Sequence, residues 1–296
     1  MDRSNQVSSD KVNRENAKVF ALLSHYLNNA SDFINAEEIK DIADYGVTYE
    51  YAFTAILTAA FGLDIVDHTE DKELFNNYFS KMVHRLEVGE YYNNPYYKNI
   101  KIPTVNIGNS ELKYEKYKPF EGFVCDDILR TPEGRQIPQI GFFDTEFRYP
   151  AVLENGRIWM TITPNEIETM KEAVDRASGN VLTYGLGLGY YAYMVSEKDD
   201  VASITVVDSN QDVIDLFKKY ILPQFKYAHK VKLVKADAFE YAQTGMPQGK
   251  FDFVFTDLWH DVSDGIDLYL KMKKFEKLCP DTAFAYWIEK SILCYL

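Results

Sequence analysis

Gly185-Leu186-Gly187-Leu188-Gly189 follows the apolar run Val181-Leu182-Thr183-Tyr184 and leads into Tyr190 to Glu197, which reads as a helix. A strand, a glycine turn and a helix in that order make a nucleotide pocket. Glycines let the backbone turn sharply and approach a ligand, and the helix start offers free N–H groups with a partial positive charge. A dinucleotide loop would read G-x-G-x-x-G, but the third glycine of that pattern falls at Tyr190. The spacing therefore disfavours a pyrophosphate.

Three acidic stations follow. Ile204-Thr205-Val206-Val207 reads as a second buried strand ending in Asp208, which lies 19 residues past Gly189. That is close to the spacing of about 20 at which a carboxylate accepts the ribose hydroxyls. Val231-Lys232-Leu233-Val234 leads to Asp237-Ala238, and Phe251-Asp252-Phe253-Val254-Phe255 leads to Asp257. Each acid stands at the carboxyl end of its strand, where open α/β sheets bind ligands. Val213, Ile214, Phe217 and Ile221 recur at helical spacing after Asp208, with Ser209 or Asn210 as cap. Strands alternating with helices predict a parallel sheet.

Ahead of this sheet, Thr163-Pro164-Asn165-Glu166 predicts a helix start. Threonine is the N-cap, proline the first helical residue and glutamate the reciprocal partner of a capping box. The expected organisation is an α/β, Rossmann-like, mostly parallel sheet over 161–296. A helical accessory domain over 1–95 and a β-rich connecting region of short hairpins over 96–160 precede it. Apolar stripes mark the helices: Val19, Phe20, Leu22, Leu23, Tyr26 and Leu27; Tyr51 to Leu63; and Leu74, Phe75, Tyr78, Phe79, Met82 and Leu86. Asn94-Pro95-Tyr96-Tyr97 reads as a turn.

The 296 residues are 46% hydrophobic and 15% aromatic, enough for a real core. A net charge of −13 disfavours a phosphate-backbone partner, so no nucleic acid is expected. Cys125, Cys279 and Cys294 are odd in number and lack metal spacing, which suits reduced thiols in the cytoplasm. Ala52 to Leu63 is too short to span a bilayer, and Met1 to Asn16 is too polar for a signal peptide, so no membrane partner is expected.

The G-x-G-x-G loop resembles the first motif of the class I S-adenosylmethionine (SAM) methyltransferases. Within that superfamily, Val206-Val207-Asp208, Val213-Ile214, Lys218-Lys219-Tyr220 and Asp237-Ala238-Phe239 are similar to the spermidine synthase-like branch. The resemblance implies a SAM cofactor bound by Tyr184, Gly185, Gly187, Gly189, Asp208, Ser209, Asp237, Ala238 and Asp257. Asp208 would hold the ribose, Asp237 the adenine amino group with Ala238 beside the ring, and Asp257 would face the reacting centre. Two positions depart from the branch. Thr183 stands where many members carry an acid before the glycines, and His260 replaces the second carboxylate of an Asp-x-x-Asp that begins at Asp257.

Asp257-Leu258-Trp259-His260-Asp261 also resembles the Asp-His-Trp-Lys-Asp segment of catechol O-methyltransferase, with His260 at the position of the basic lysine. That family's metal needs an Asp-Asn pair after the fifth strand. Ala283 to Ile288 runs into Glu289 without one, so no metal is expected. The leading expectation is SAM-dependent methyl transfer to a small-molecule acceptor, with His260 and Asp257 catalytic and His260 as the base. The alternatives are an aminopropyltransferase and a non-catalytic nucleotide-binding protein. A homodimer through the helical region is a further expectation.

Overall fold

A computed structural model describes residues 3–29 and 33–296. Met1 and Asp2 of the polar N-terminal stretch lie outside the described residues. Twelve strands occur among the described residues: β1 (Val83–Arg85), β2 (Val105–Ile107), β3 (Ser110–Tyr117), β4 (Phe123–Arg130), β5 (Gln136–Phe142), β6 (Phe147–Glu154), β7 (Arg157–Thr161), β8 (Gly179–Tyr184), β9 (Val201–Asp208), β10 (Val231–Lys235), β11 (Phe253–Thr256) and β12 (Ala283–Tyr286). They form three sheets, ordered β1-β5-β4, β2-β3-β6-β7 and β10-β9-β8-β11-β12. No described helix is long and apolar enough to cross a membrane.

The chain divides into two compact units. One takes the residues up to Val88 with Lys116–Phe147, and the other takes Gly89–Glu115 with Arg148–Leu296. This division differs from three consecutive regions, because each unit is assembled from two separated stretches of chain.

In the first unit, helices Arg3–Asn29, Ala36–Ala43, Tyr49–Ala60 and Thr69–Asn77 accompany the β1-β5-β4 sheet. Phe53 stacks on Phe142 with ring centroids 4.9 Å apart, joining helix to sheet. The two threonines of the apolar helix are buried without penalty: Thr54 donates to the Glu50 carbonyl at 2.6 Å, and Thr58 to that of Thr54 at 2.9 Å. The stripe from Leu74 to Leu86 is a correction to the sequence reading. Its helix stops at Asn77, a 3-10 turn covers Phe79–Lys81, and β1 then pairs in parallel with β5. Three residues are too few to display a strand period, and the pairing partner lies more than fifty residues away.

The second unit carries the predicted sheet. All four of its strand pairings are parallel, and the order reads third, second, first, fourth, fifth in chain sequence. This is a Rossmann-like α/β arrangement. Helices Pro164–Arg176, Tyr190–Ser196, Gln211–Leu216, Ala238–Thr244 and Val262–Lys273 connect or precede its strands. The capping box at Thr163 forms as expected, and Asn210 caps the helix after Asp208 through the N–H groups of Asp212 and Val213. β6 and β7 form an antiparallel hairpin turned by Asn155-Gly156, both at positive φ. Asn94-Pro95 is not a simple turn. Asn94 accepts from the Tyr96 N–H and starts a one-turn helix, Pro95–Asn99.

Candidate functional site

The site lies in the second unit, at the carboxyl ends of β8, β9, β10 and β11. Gly185 and Gly187 have φ of +91° and +48°, backbone angles that other residues adopt with strain. A β-carbon on Gly185 would stand 1.9 Å from the Asp257 carbonyl oxygen, and one on Gly187 would stand 2.3 Å from the Met160 Sδ. The loop is thus wedged between the end of β11 and the hairpin strand β7. Tyr96 holds it from a third direction, its hydroxyl donating to the Leu188 carbonyl at 2.6 Å. The Leu186 N–H donates to Asp208 Oδ2 at 2.9 Å, and the Asn210 N–H to Asp208 Oδ1 at 2.7 Å. Asp208 therefore ties the glycine loop to the loop after β9.

These loops enclose a cavity of about 220 Å³. Gly185, Asp208, Ser209, Asp237, Ala238, Asp257 and His260 line it, so most of the expected residues converge. Tyr184, Gly187 and Gly189 do not border it. Tyr184 is fully buried with its ring edge-on to Tyr241, so it belongs to the packing beneath the site. Asp237 Oδ1 accepts from the N–H groups of Phe239 and Glu240, both at 2.9 Å, and caps the helix Ala238–Thr244. Trp159 and Met160 from β7, with Phe239 and Trp259, supply apolar wall. The β7 residues carried no sequence signal, because only tertiary folding brings the hairpin over the loop.

A smaller cavity of about 20 Å³ lies behind Gly185 and Leu186, bounded by Glu166, Thr183 and Asp257. Glu166, expected only as a helix cap, accepts from the Thr163 N–H at 2.8 Å, the Thr161 hydroxyl at 2.9 Å and the Thr163 hydroxyl. Burial nevertheless raises its pKa, outweighing these bonds. Thr183 is buried, and its Oγ1 has no partner among the described residues. Asp257 borders both cavities. Burial first, then the neighbouring Glu166 and Asp208 charges, push its carboxyl up to about 8. Asp208 is likewise raised by burial, opposed by its backbone N–H bonds.

His260 stands at the mouth of the larger cavity. Its Nδ1 lies 3.0 Å from Asp264 Oδ2, and its ring meets Trp159 edge-on with centroids 4.3 Å apart. Among the described residues that bound the two cavities there is no Lys or Arg, and His260 is the single basic group.

Residues 165–281 match the family described as the spermine/spermidine synthase domain. Among solved structures, spermidine synthase from Thermotoga maritima is 18% identical over 47% of this chain and 53% of its own, with a TM-score of 0.33. A spermidine synthase in complex with the transition state analogue AdoDATO is 18% identical over 47% of this chain and 52% of its own, with a TM-score of 0.32. Precorrin 8w decarboxylase from Methanobacterium thermoautotrophicum is 16% identical over 42% and 63%, with a TM-score of 0.32. The chain spans about half the length of the spermidine synthases it matches. No curated protein sequence matches it.

The family match corrects two expectations. Methyl transfer as the activity and SAM as the donor are both overturned, because the matched domain is that of the spermine and spermidine synthases. The aminopropyl-transfer alternative is the better supported reading.

Proposed function

We propose that the chain transfers an aminopropyl group from decarboxylated SAM to an aliphatic amine. The carrying observation is the charge of the site: Glu166, Asp208, Asp237 and Asp257 border the two cavities, and no Lys or Arg does. The carboxylate of SAM would find no Lys or Arg there, and the Leu186 N–H that could receive it already donates to Asp208. A donor without that carboxylate, ending in an ammonium, meets opposite charge instead.

In this reading Asp208 accepts the ribose hydroxyls with its remaining lone pairs. Asp237 offers its uncommitted oxygen to the adenine amino group, and Ala238 lies beside the ring. Asp257 and Glu166 hold the donor ammonium, whose charge favours the ionised form of Asp257. The acceptor nitrogen attacks the aminopropyl carbon bonded to sulfur and forms a C–N bond. The C–S bond breaks and its electron pair stays on sulfur, leaving neutral methylthioadenosine. An aliphatic amine carries a proton near neutral pH, so His260 Nε2 takes that proton from the acceptor before attack, frees its lone pair and then passes the proton to solvent. A histidine thus does the work of the second carboxylate of Asp-x-x-Asp.

Calorimetry with the two donors tests the reading. Decarboxylated SAM is expected to bind at least about tenfold more tightly than SAM, a difference of roughly 1.4 kcal/mol. Equal affinity, or a preference for SAM, would overturn it.

A further inference from the structure

Asp264 lies four residues after His260, in the first turn of the helix Val262–Lys273. Its Oδ1 accepts from the backbone N–H of Asp261 at 3.0 Å, the backbone N–H of His260 is shared between Oδ1 at 3.1 Å and Oδ2 at 3.2 Å, and Oδ2 also meets His260 Nδ1 at 3.0 Å. One carboxylate therefore grips both the main chain and the imidazole of the same residue. The helix cap itself is Asp261, whose Oδ1 accepts from the Ser263 N–H at 2.6 Å. On its other side the imidazole meets the edge of Trp159, and Nε2 has no partner among the described residues.

We propose that Asp264 is a positioning residue that sets the tautomer and direction of His260. An ionised carboxylate accepts and does not donate, so it holds the imidazole proton on Nδ1 and leaves the Nε2 lone pair to accept from a ligand in the larger cavity. Burial and the bonds from His260 act on Asp264 in opposite senses, and its pKa lies below the usual carboxylate range, which keeps it ionised near neutral pH. The inference rests on the reading of His260 as the amine base. A purely structural role, closing the first turn of the helix, would need only the two backbone bonds.

Asp264→Asn separates the two roles. The Asp261 N–H donates to Oδ1 alone and the His260 N–H is shared between the two oxygens, so the amide oxygen is held at Oδ1 and the NH2 takes the place of Oδ2. That group donates to Nδ1 and drives the imidazole proton to Nε2. The bonds to Oδ1 survive, the weaker bond from the His260 N–H to Oδ2 is lost, and the tautomer reverses.

The test is long-range proton–nitrogen NMR on protein with nitrogen-15 histidine, at a pH where the imidazole is neutral. Comparison with His260→Gln assigns His260 among the five histidines. The expected result is the Nδ1–H tautomer in the wild type, Nε2–H in Asp264→Asn, and return to Nδ1–H in Asp264→Glu. With putrescine as acceptor, Asp264→Asn should lower kcat at least about tenfold while KM and donor affinity hold, and Asp264→Glu should recover part of the loss. An Nε2–H wild type, or an unchanged tautomer in a folded Asp264→Asn protein, would overturn the proposal. So would a reversed tautomer with unchanged kcat. If the wild type fails to turn over putrescine, the functional reading falls, and the tautomer still decides whether Asp264 orients His260.

Discussion

The carbonyl oxygen of Asp257 occupies the space that a β-carbon on Gly185 would need, 1.9 Å from its ideal position. The first and fourth strands of the sheet thus meet at the site with no room for a side chain between them. Gly185→Ala must both strain a backbone at φ +91° and push a main-chain atom aside. Gly134 provides the control, since it has φ +86° and no atom within 4 Å. Gly134→Ala should cost about 1–2 kcal/mol from the left-handed backbone alone, and Gly185→Ala distinctly more. Denaturant unfolding gives both values, and equal losses would mean that the loop is looser than described.

Asp257 makes stability depend on pH in an identifiable direction. Its folded pKa of about 8 lies above the unfolded value of about 3.9, so between them the native state holds a proton that the unfolded chain has lost. This group's contribution therefore favours folding at low pH and fades as pH rises from about 4 to 8. Asp257→Asn should be increasingly stable relative to the wild type across that window. Parallel stability curves for the two proteins would contradict the assignment.

Asp208 should matter twice, because it ties Leu186 to Asn210 and, under the proposed function, accepts the ribose hydroxyls. Asp208→Ala is expected to weaken binding of methylthioadenosine by ten- to a hundredfold, about 1.5–3 kcal/mol for charge-assisted bonds. Calorimetry finding undiminished affinity would remove the ribose from that position.

His260 is expected to act on rate and not on donor binding. His260→Ala should lower kcat by about 10²–10⁴ with donor affinity held, the usual effect of a general base. A near-normal rate would leave proximity of the amine to the sulfonium as sufficient.

The sheet was legible because its inner strands are largely buried on both faces and read as short apolar runs, as Val181 to Tyr184 and Ile204 to Val207 do. Asp208, Asp237 and Asp257 were legible for a related reason, since each acid interrupts such a run at its carboxyl end. The capping box at Thr163 announced its helix, yet gave no hint that Glu166 also faces a cavity beside Asp257. Trp159 and Met160 were invisible as site residues, because a hairpin's fold over a distant loop leaves no local period. Asp264 went unread for a different reason. Its spacing from His260 is that of an ordinary helical pair, and only the direction of its two oxygens distinguishes it.

Aminopropyl transfer is tested most directly by mass analysis of the products formed from putrescine and decarboxylated SAM. The site described here should yield methylthioadenosine and spermidine in equal amounts, with SAM far less effective as donor. Absence of spermidine, together with S-adenosylhomocysteine and a methylated amine from SAM, would contradict the account.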